Sequence, residues 1–462
     1  MAKNKWTGLV AMVAMVAGCP ADEGDGAEGV SAVDETGDTD DVNTSEPDEP
    51  DEPDDSEQPD EPDDSQEPDE PADALAECRK LPGAEDWIEG EAPESTAEST
   101  PQRIAAAGAE TWSVALDLLR AVSSADAPSV VASPASMVTA LGLSYGRWQS
   151  GSCGDRIAEV TRFAEREDDL HHTLGASIEA LQSRAMPATD NADPVILSMQ
   201  QSTWAFGDTT LPELSELESI YAAKPNAMLQ PGEPARDLIN CIIEAESDGL
   251  LPDFLPMGQP AADTSSYDVN VSVLKAPWAV GMTPQSVSFT FADGSTDILD
   301  GFGTTLVGAQ IYEGEAFSTV DIALRGGAVS VMIVIPPEDY TDGLDAFAAS
   351  LEADTLRAAR DEAMYADIEF AMPKVVIESS TVNYYEPLGF ECEPFTLRSV
   401  FHGAALELDE KGIKAAAATV AEGFDDDGGG ASTLVNVDRP FLFFVHDIET
   451  EFVLFSGRFS PE

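Results

Sequence analysis

The chain has 462 residues, of which 88 are Asp or Glu and only 23 are Lys or Arg, giving a net charge of −65 at neutral pH. That balance excludes nucleic acid and heparin-like polyanions as partners, because both are bound through a basic footprint. The most acidic stretch, residues 21–75, holds 25 acids and no Lys or Arg, and its removal still leaves about −40 on the remainder.

At the N-terminus, Lys3 and Lys5 precede an apolar run from Trp6 to Ala17. A run of about a dozen residues is too short to span a bilayer and has the layout of an export signal. Val16-Ala17-Gly18-Cys19 resembles the bacterial lipobox, which predicts a leader over residues 1–18 and a lipidated Cys19. The expected destination is the outer membrane or cell surface as a lipoprotein, or secretion. Residues 19–75 read as a disordered tether: Glu-Pro and Asp-Glu-Pro units recur, little apolar surface exists to bury, and like charges repel.

From residue 76 to 462 the composition turns globular without a second linker, so one large domain is expected. Its cysteines, Cys78, Cys153, Cys241 and Cys392, are an even set in an exported chain and permit two disulfides in three connectivities. No CxxC or His-rich spacing suggests a metal, and no cofactor is expected. Trp112, Ala115, Leu116, Leu119 and Val122 fall at helical spacing. Ser133-Pro134 opens a second helix, with Ser as cap and Pro in the first turn. Val329–Ile335 reads as a buried strand, and Ile368, Phe370 and Met372 alternate with polar neighbours as another. Leu442–Val445 and Phe452–Phe455 flank Asp447-Ile448-Glu449-Thr450, a hairpin signal. Helices first and antiparallel strands later argue for an α+β fold.

The stretch that organises this domain lies near its end. Glu410-Lys411-Gly412-Ile413-Lys414 is followed by Ala415, Ala416, Ala417, Ala418 and Thr419, then by an Asp- and Gly-rich run to Gly430. As a strand it shows period two, with Ile413, Ala415, Ala417 and Thr419 on one side and Lys414 and Ala416 facing outward. Small inward residues suit a segment that must slide between existing strands, and Gly412 supplies a swivel. Together with Asp438-Arg439-Pro440-Phe441 downstream, this pairing resembles the hinge, exposed loop and C-terminal signature of the serpins.

Further matches follow in order. Ser133-Pro134-Ala135-Ser136 resembles the family's helix B start. Ile239-Asn240 and Gly249-Leu250-Leu251-Pro252 resemble the end of helix F and its exit. Met372-Pro373-Lys374 through Ile377, then Leu388-Gly389-Phe390, resemble a strand–helix segment. His402 falls at the shutter histidine, so that Ser133, Ser136 and His402 would share a buried hydrogen-bond cluster. The resemblance implies three β-sheets, about eight to nine helices and a reactive-centre loop near residues 410–435. It also implies a monomeric suicide-substrate inhibitor, not an enzyme, aimed at a serine or cysteine endopeptidase. The scissile bond, about seventeen residues along from the hinge Glu, would join Asp426 to Asp427, with Phe424 and Asp425 within counting error.

Three features depart from the family pattern. Ile413 stands where inhibitory members carry Thr or Ser, Lys275 where an Asn is expected, and Thr283 where a Trp is usual, with Pro277 awkward inside a strand. These departures favour a second reading, a serpin-fold binding or carrier protein without inhibition. A third class is nominally available. Gly142-Leu143-Ser144-Tyr145-Gly146 fits G-x-S-x-G, with Ser144 as a hydrolase nucleophile and His402 or His446 as its base, but the preceding residues continue a helix.

Overall fold

The computed structural model describes residues 9–17, 74–125, 127–147, 151–163, 168–189, 191–207, 214–228, 230–377, 381–392, 397–413 and 433–462. The chain divides into one unit of residues 1–19 and 74–462 and another of 20–73, and all described residues belong to the first. In chain order its elements begin with β1 (Leu9–Ala17), α1 (Ala74–Cys78), β2 (Ile88–Glu89), α2 (Pro101–Arg120), β3 (Val130–Ala132) and α3 (Pro134–Arg147). Next come α4 (Ser152–Val160), α5 (Asp168–Gln182), β4 (Ile196–Phe206), α6 (Leu214–Tyr221), β5 (Lys224–Met228) and α7 (Glu233–Glu246). Then follow β6 (Ser266–Lys275), β7 (Thr283–Thr290), β8 (Thr296–Glu313), β9 (Ser318–Ala323), β10 (Val329–Ile335), α8 (Gly343–Ser350) and α9 (Ala353–Asp361). The last are β11 (Met364–Pro373), β12 (Val375–Ile377), β13 (Val382–Asn383), β14 (Leu397–Asp409), β15 (Gly412–Ile413), β16 (Thr433–Asn436), β17 (Phe441–Asp447) and β18 (Val453–Phe459).

The helices start where their caps dictate. Thr100 Oγ1 accepts from the Arg103 amide at 3.3 Å ahead of Pro101, and α2 then buries Trp112, Ala115, Leu116 and Leu119 as the spacing predicts. Ser133 Oγ accepts from the Ser136 amide at 3.2 Å at the start of α3. Strands β10, β17 and β18 are buried on both faces, which is why β10 and the Phe441–Val445 and Val453–Phe455 parts of the others are so apolar. The hairpin between β17 and β18 is held by Asp447, whose carboxylate accepts from the Thr450 amide at 2.7 Å and from Arg184 Nε at 2.7 Å.

The central sheet runs β12-β14-β1-β6-β4-β5-β2. The other strands form one hydrogen-bonded network, β16-β11-β8-β9-β10-β17-β18-β3. The 18-residue β8 divides this network in two: residues 296–303 pair with β7, whereas Gln310–Glu313 pair with β9. The architecture is thus the expected α+β fold with three sheets, and nine α-helices lie among the described residues.

Both faces of the central sheet are covered. On one side α3 lies against β1 and β6 and α5 against β4, over a core that includes Leu197, Leu274, Ala404, Leu406 and Leu408; on the other α7 shares a second core with Val269, Val271, Val273, Phe401 and Ala405. Of the three possible connectivities, the disulfides are Cys78–Cys241, joining α1 to α7, and Cys153–Cys392, joining α4 to the segment ahead of β14. One element lies outside what the sequence suggested: part of the N-terminal apolar run forms β1, in the middle of the central sheet.

At the C-terminal end of α7, burial raises the Glu246 carboxyl to about 7, with Lys224 pulling weakly the other way. A carboxyl raised in the folded state contributes stability below its unfolded pKa and loses it as pH climbs through about 7. Glu246→Gln is therefore expected to raise the melting temperature at pH 8 and to change it little at pH 4. Equal effects at the two pH values would exclude the carboxylate as the cause.

Candidate functional site

The hinge begins where β14 turns back on itself. Gly412 has φ +119°, and a Cβ there would lie 2.3 Å from the Ala276 carbonyl oxygen and 2.6 Å from Pro277 Cα, so only glycine fits. The following residue, Ile413, is fully buried and exchanges two backbone hydrogen bonds with Ala276, at 2.8 and 2.6 Å. Trp278 Nε1 donates to the Asp409 carbonyl at 2.7 Å, capping the turn with a buried indole. Lys374 Nζ lies 2.6 Å from Glu410 Oε2. Burial works against both charges, yet the hydrogen bond between them prevails, holding the Lys374 pKa above the ordinary lysine value and Glu410 below the ordinary carboxylate value. Residues 414–432 lie outside the described residues, and with them Ala415, Ala416, Ala417, Ala418, Thr419, Phe424, Asp425, Asp426 and Asp427; so does Cys19.

Below the hinge, Ser133, Ser136 and His402 lie together. The Ser133 amide donates to His402 Nε2 at 2.9 Å, which makes that nitrogen an acceptor and places the ring proton on Nδ1. The Ser136 hydroxyl shares its one proton between Ser272 Oγ, at 2.8 Å, and Asn270 Oδ1, and the Ser272 hydroxyl donates to Asn270 Oδ1 at 2.8 Å. Tyr384 closes the cluster edge-on to His402, with ring centroids 5.8 Å apart.

Asn270, Ser272 and Trp278 correct the reading of this strand. The expected Asn is Asn270, five residues before Lys275, and the expected Trp is Trp278, five residues before Thr283. The same shift resolves Pro277, since β6 ends at Lys275 and the proline lies beyond it. Lys275 instead forms an ion pair with Asp248, next to the end of α7. A signal for Asn270 was available in the sequence: Ser266, Asp268, Asn270 and Ser272 alternate with Tyr267, Val269, Val271 and Val273. Such a polar stripe within a strand buried on both faces requires partners, and Ser136 and Ser144 of α3 supply two.

Ser144 is one of those partners and not a nucleophile. It sits inside α3, 2% exposed, and its hydroxyl donates to Asp268 at 2.8 Å. His402 Nε2 is engaged by Ser133 and His446 Nε2 by Asp321 at 3.0 Å, so neither imidazole serves Ser144 through that nitrogen. Ser144→Ala is expected to lower stability by about 1–3 kcal/mol by removing a buried donor, measured by denaturant unfolding. Esterase activity that vanished in this variant would contradict the structural role.

Residues 109–461 match the family model described as Serpin (serine protease inhibitor). The chain belongs to the serpin family. The human plasminogen activator inhibitor 2 is 24% identical over 351 residues, covering 68% of this chain and 79% of that serpin. The native thermophilic serpin tengpin superposes with a TM-score of 0.65 at 16% identity, over 81% of this chain and 97% of its own. Human thyroxine-binding globulin, crystallised with its ligand, gives 0.63 at 17% identity, over 78% and 100%. At these identities the structural likeness shows the fold alone. The relatives are mostly protease inhibitors, with non-inhibitory serpins among the structural neighbours.

Proposed function

We propose that this serpin is an exported suicide-substrate inhibitor of a serine or cysteine endopeptidase. The observation that carries the reading is a gap in direct pairing between β6 and β14, filled by a strand antiparallel to both. The hinge points into that gap from both sides. Ile413 pairs with Leu408 of β14 and bridges Ala276 beyond β6. Continuing either register down the gap sets Thr419 opposite His402 on one side and opposite Asn270 on the other. Continued past Ile413, both registers would put Thr419, on insertion, over the buried polar cluster. The Asn270 amide nitrogen has no partner among the described residues, and a threonine hydroxyl at that level would supply one.

Cleavage and insertion then follow from ordinary acyl-transfer chemistry. The nucleophile of the protease attacks the Asp426 carbonyl carbon; the bond to Asp427 breaks, and the new amine leaves on residue 427. The protease stays esterified, or thioesterified, to Asp426. If residues 413–423 slide into the gap before water attacks that ester, the protease is carried away from the hinge by roughly 35 Å, at about 3.3 Å per residue.

The same extrapolated register bears on one expectation. Ala417 would lie beside Ser272 and Ala404, on the α3 side of the sheet. Ala416 would lie beside Val273 and Ala405, which are buried under the α7 side and not open to solvent. Of the two residues expected to face outward, only Lys414 would reach the half-exposed rim, at Glu407.

A covalent complex that survives SDS is the test. Proteases preferring acidic residues, with aromatic-preferring ones as the fallback for Phe424, should yield a complex esterified at Asp426 and a released C-terminal fragment beginning at Asp427. Turnover of the loop without any complex would leave the carrier reading, which Ile413 still favours; its other support, the departure at Lys275, is removed by Asn270. Export through a lipid on Cys19 is part of the same proposal. Cys19→Ser should move the protein from the membrane to the soluble fraction, and a native protein already soluble after export would refute the anchor.

A further inference from the structure

The strand that fills the gap between β6 and β14 is the chain's own N-terminal segment. We propose that residues 9–17 are an intramolecular plug of the insertion slot, so that a chain retaining them cleaves as a substrate and traps only once they leave. Leu9–Ala17 pair with Leu274–Ser266 of β6, and Val10–Val16 pair with Ala405–Ser399 of β14, antiparallel on both sides. Val13 stands opposite both Asn270 and His402, the position that the hinge registers assign to Thr419. Both flanks thus place each residue of this strand where the loop residue 406 positions later would go: Leu9 for Ala415, Ala11 for Ala417, Val13 for Thr419. Two strands cannot share one ladder, so occupancy by one excludes the other.

The sequence of the segment suits the role. Leu-Val-Ala-Met-Val-Ala-Met-Val-Ala holds no Pro, Gly or charge, and Val, a β-branched residue that strands favour, recurs at every third position. A slot buried on both faces and apolar on the α7 side favours such a strand over the loop's Glu422, which would occupy the position of Val16 on that side. The segment ends next to Cys19, where the expected leader is cut. Processing at that bond would therefore sever the strand from the domain and let it leave the slot, so that the precursor does not trap proteases it meets before export.

This proposal rests on the insertion reading above, and the experiment separates the two. In the full chain, hydrogen exchange of the amides of residues 9–17 should be slowed by at least about a thousandfold relative to free peptide; exchange at free-peptide rates overturns the plug. Val13→Pro removes a ladder donor at the middle of the slot and should increase exchange at Val271 and Val400. Cutting the loop within 420–430 should leave the full chain's melting temperature nearly unchanged but raise that of Val13→Pro by more than about 10 °C. Protease trapping by Val13→Pro should exceed that of the full chain by at least about tenfold. An equal rise on cleavage in both chains overturns the plug. Protected 9–17 amides with no rise in either chain keep the plug and overturn loop insertion instead.

Discussion

Ala417→Arg is expected to abolish protease trapping while leaving cleavage of the loop intact. At the inserted position Ala417 would lie beside Ser272 and Ala404, both buried on the side covered by α3. An arginine there needs volume that the packed interface lacks and carries a charge with no counter-ion in the local set of Ser136, Ser272 and Asn270. Overpacking alone costs about 1–3 kcal/mol, and an unpaired buried charge adds several more. Each 1.4 kcal/mol on the insertion barrier slows it about tenfold, so a delay of roughly a hundredfold or more is expected, enough for hydrolysis of the acyl-enzyme to win. Lys414→Gln is the matched control: its inserted position adjoins Glu407 at the half-exposed rim, and trapping should persist. The comparison is made in chains freed of residues 1–18, by gel densitometry of complex against cleaved inhibitor. Equal trapping by the two variants would mean that the hinge does not insert in the register extrapolated from Ile413.

Removal of either disulfide should lower the melting temperature substantially, and the loss should be visible on simple reduction. Cys78–Cys241 and Cys153–Cys392 span 163 and 239 residues, so each restrains a large loop of the unfolded chain. The chain-entropy model assigns about 5 kcal/mol to loops of this size. For a domain this large that corresponds to a fall of roughly 5–10 °C for each bond. Replacement of Cys78 and Cys241 by Ser should act further on the slot, because that bond ties α7, which covers one face of the central sheet, to α1. Faster hydrogen exchange at Val269 and Val271 would register this. A melting temperature unchanged within about 1 °C on full reduction would show that the unfolded chain is not restrained as the loop lengths imply.

Much of this protein was legible before any coordinates. The buried face of α2, the α3 start, the doubly buried β10, the β17–β18 hairpin and the glycine at 412 follow from rules that act within a few residues: capping, period, and turn chemistry. The family resemblance was legible for the same reason, since its motifs are short and their order survives. Ser133, Ser136 and His402 could be grouped from that order alone. The two misplacements, Lys275 for Asn270 and Thr283 for Trp278, are one slip of five residues. Every residue of β6 is buried, so its pattern carries no solvent side with which to fix the register of an alignment.

What only the tertiary structure decided lies between segments far apart in the chain. Which cysteines pair, and that Ser144 answers Asp268 and not a histidine, depend on what packs across the sheet, and no local pattern encodes that. The N-terminal apolar run is the sharpest case. Taken alone, its hydrophobicity is satisfied equally by a lipid bilayer, a signal-binding groove or a protein core, because burial of apolar surface is non-directional. A strand needs partners, and the unfilled backbone donors and acceptors of β6 and β14, contributed by residues some 260 and 390 positions away, make this sheet a place for residues 9–17.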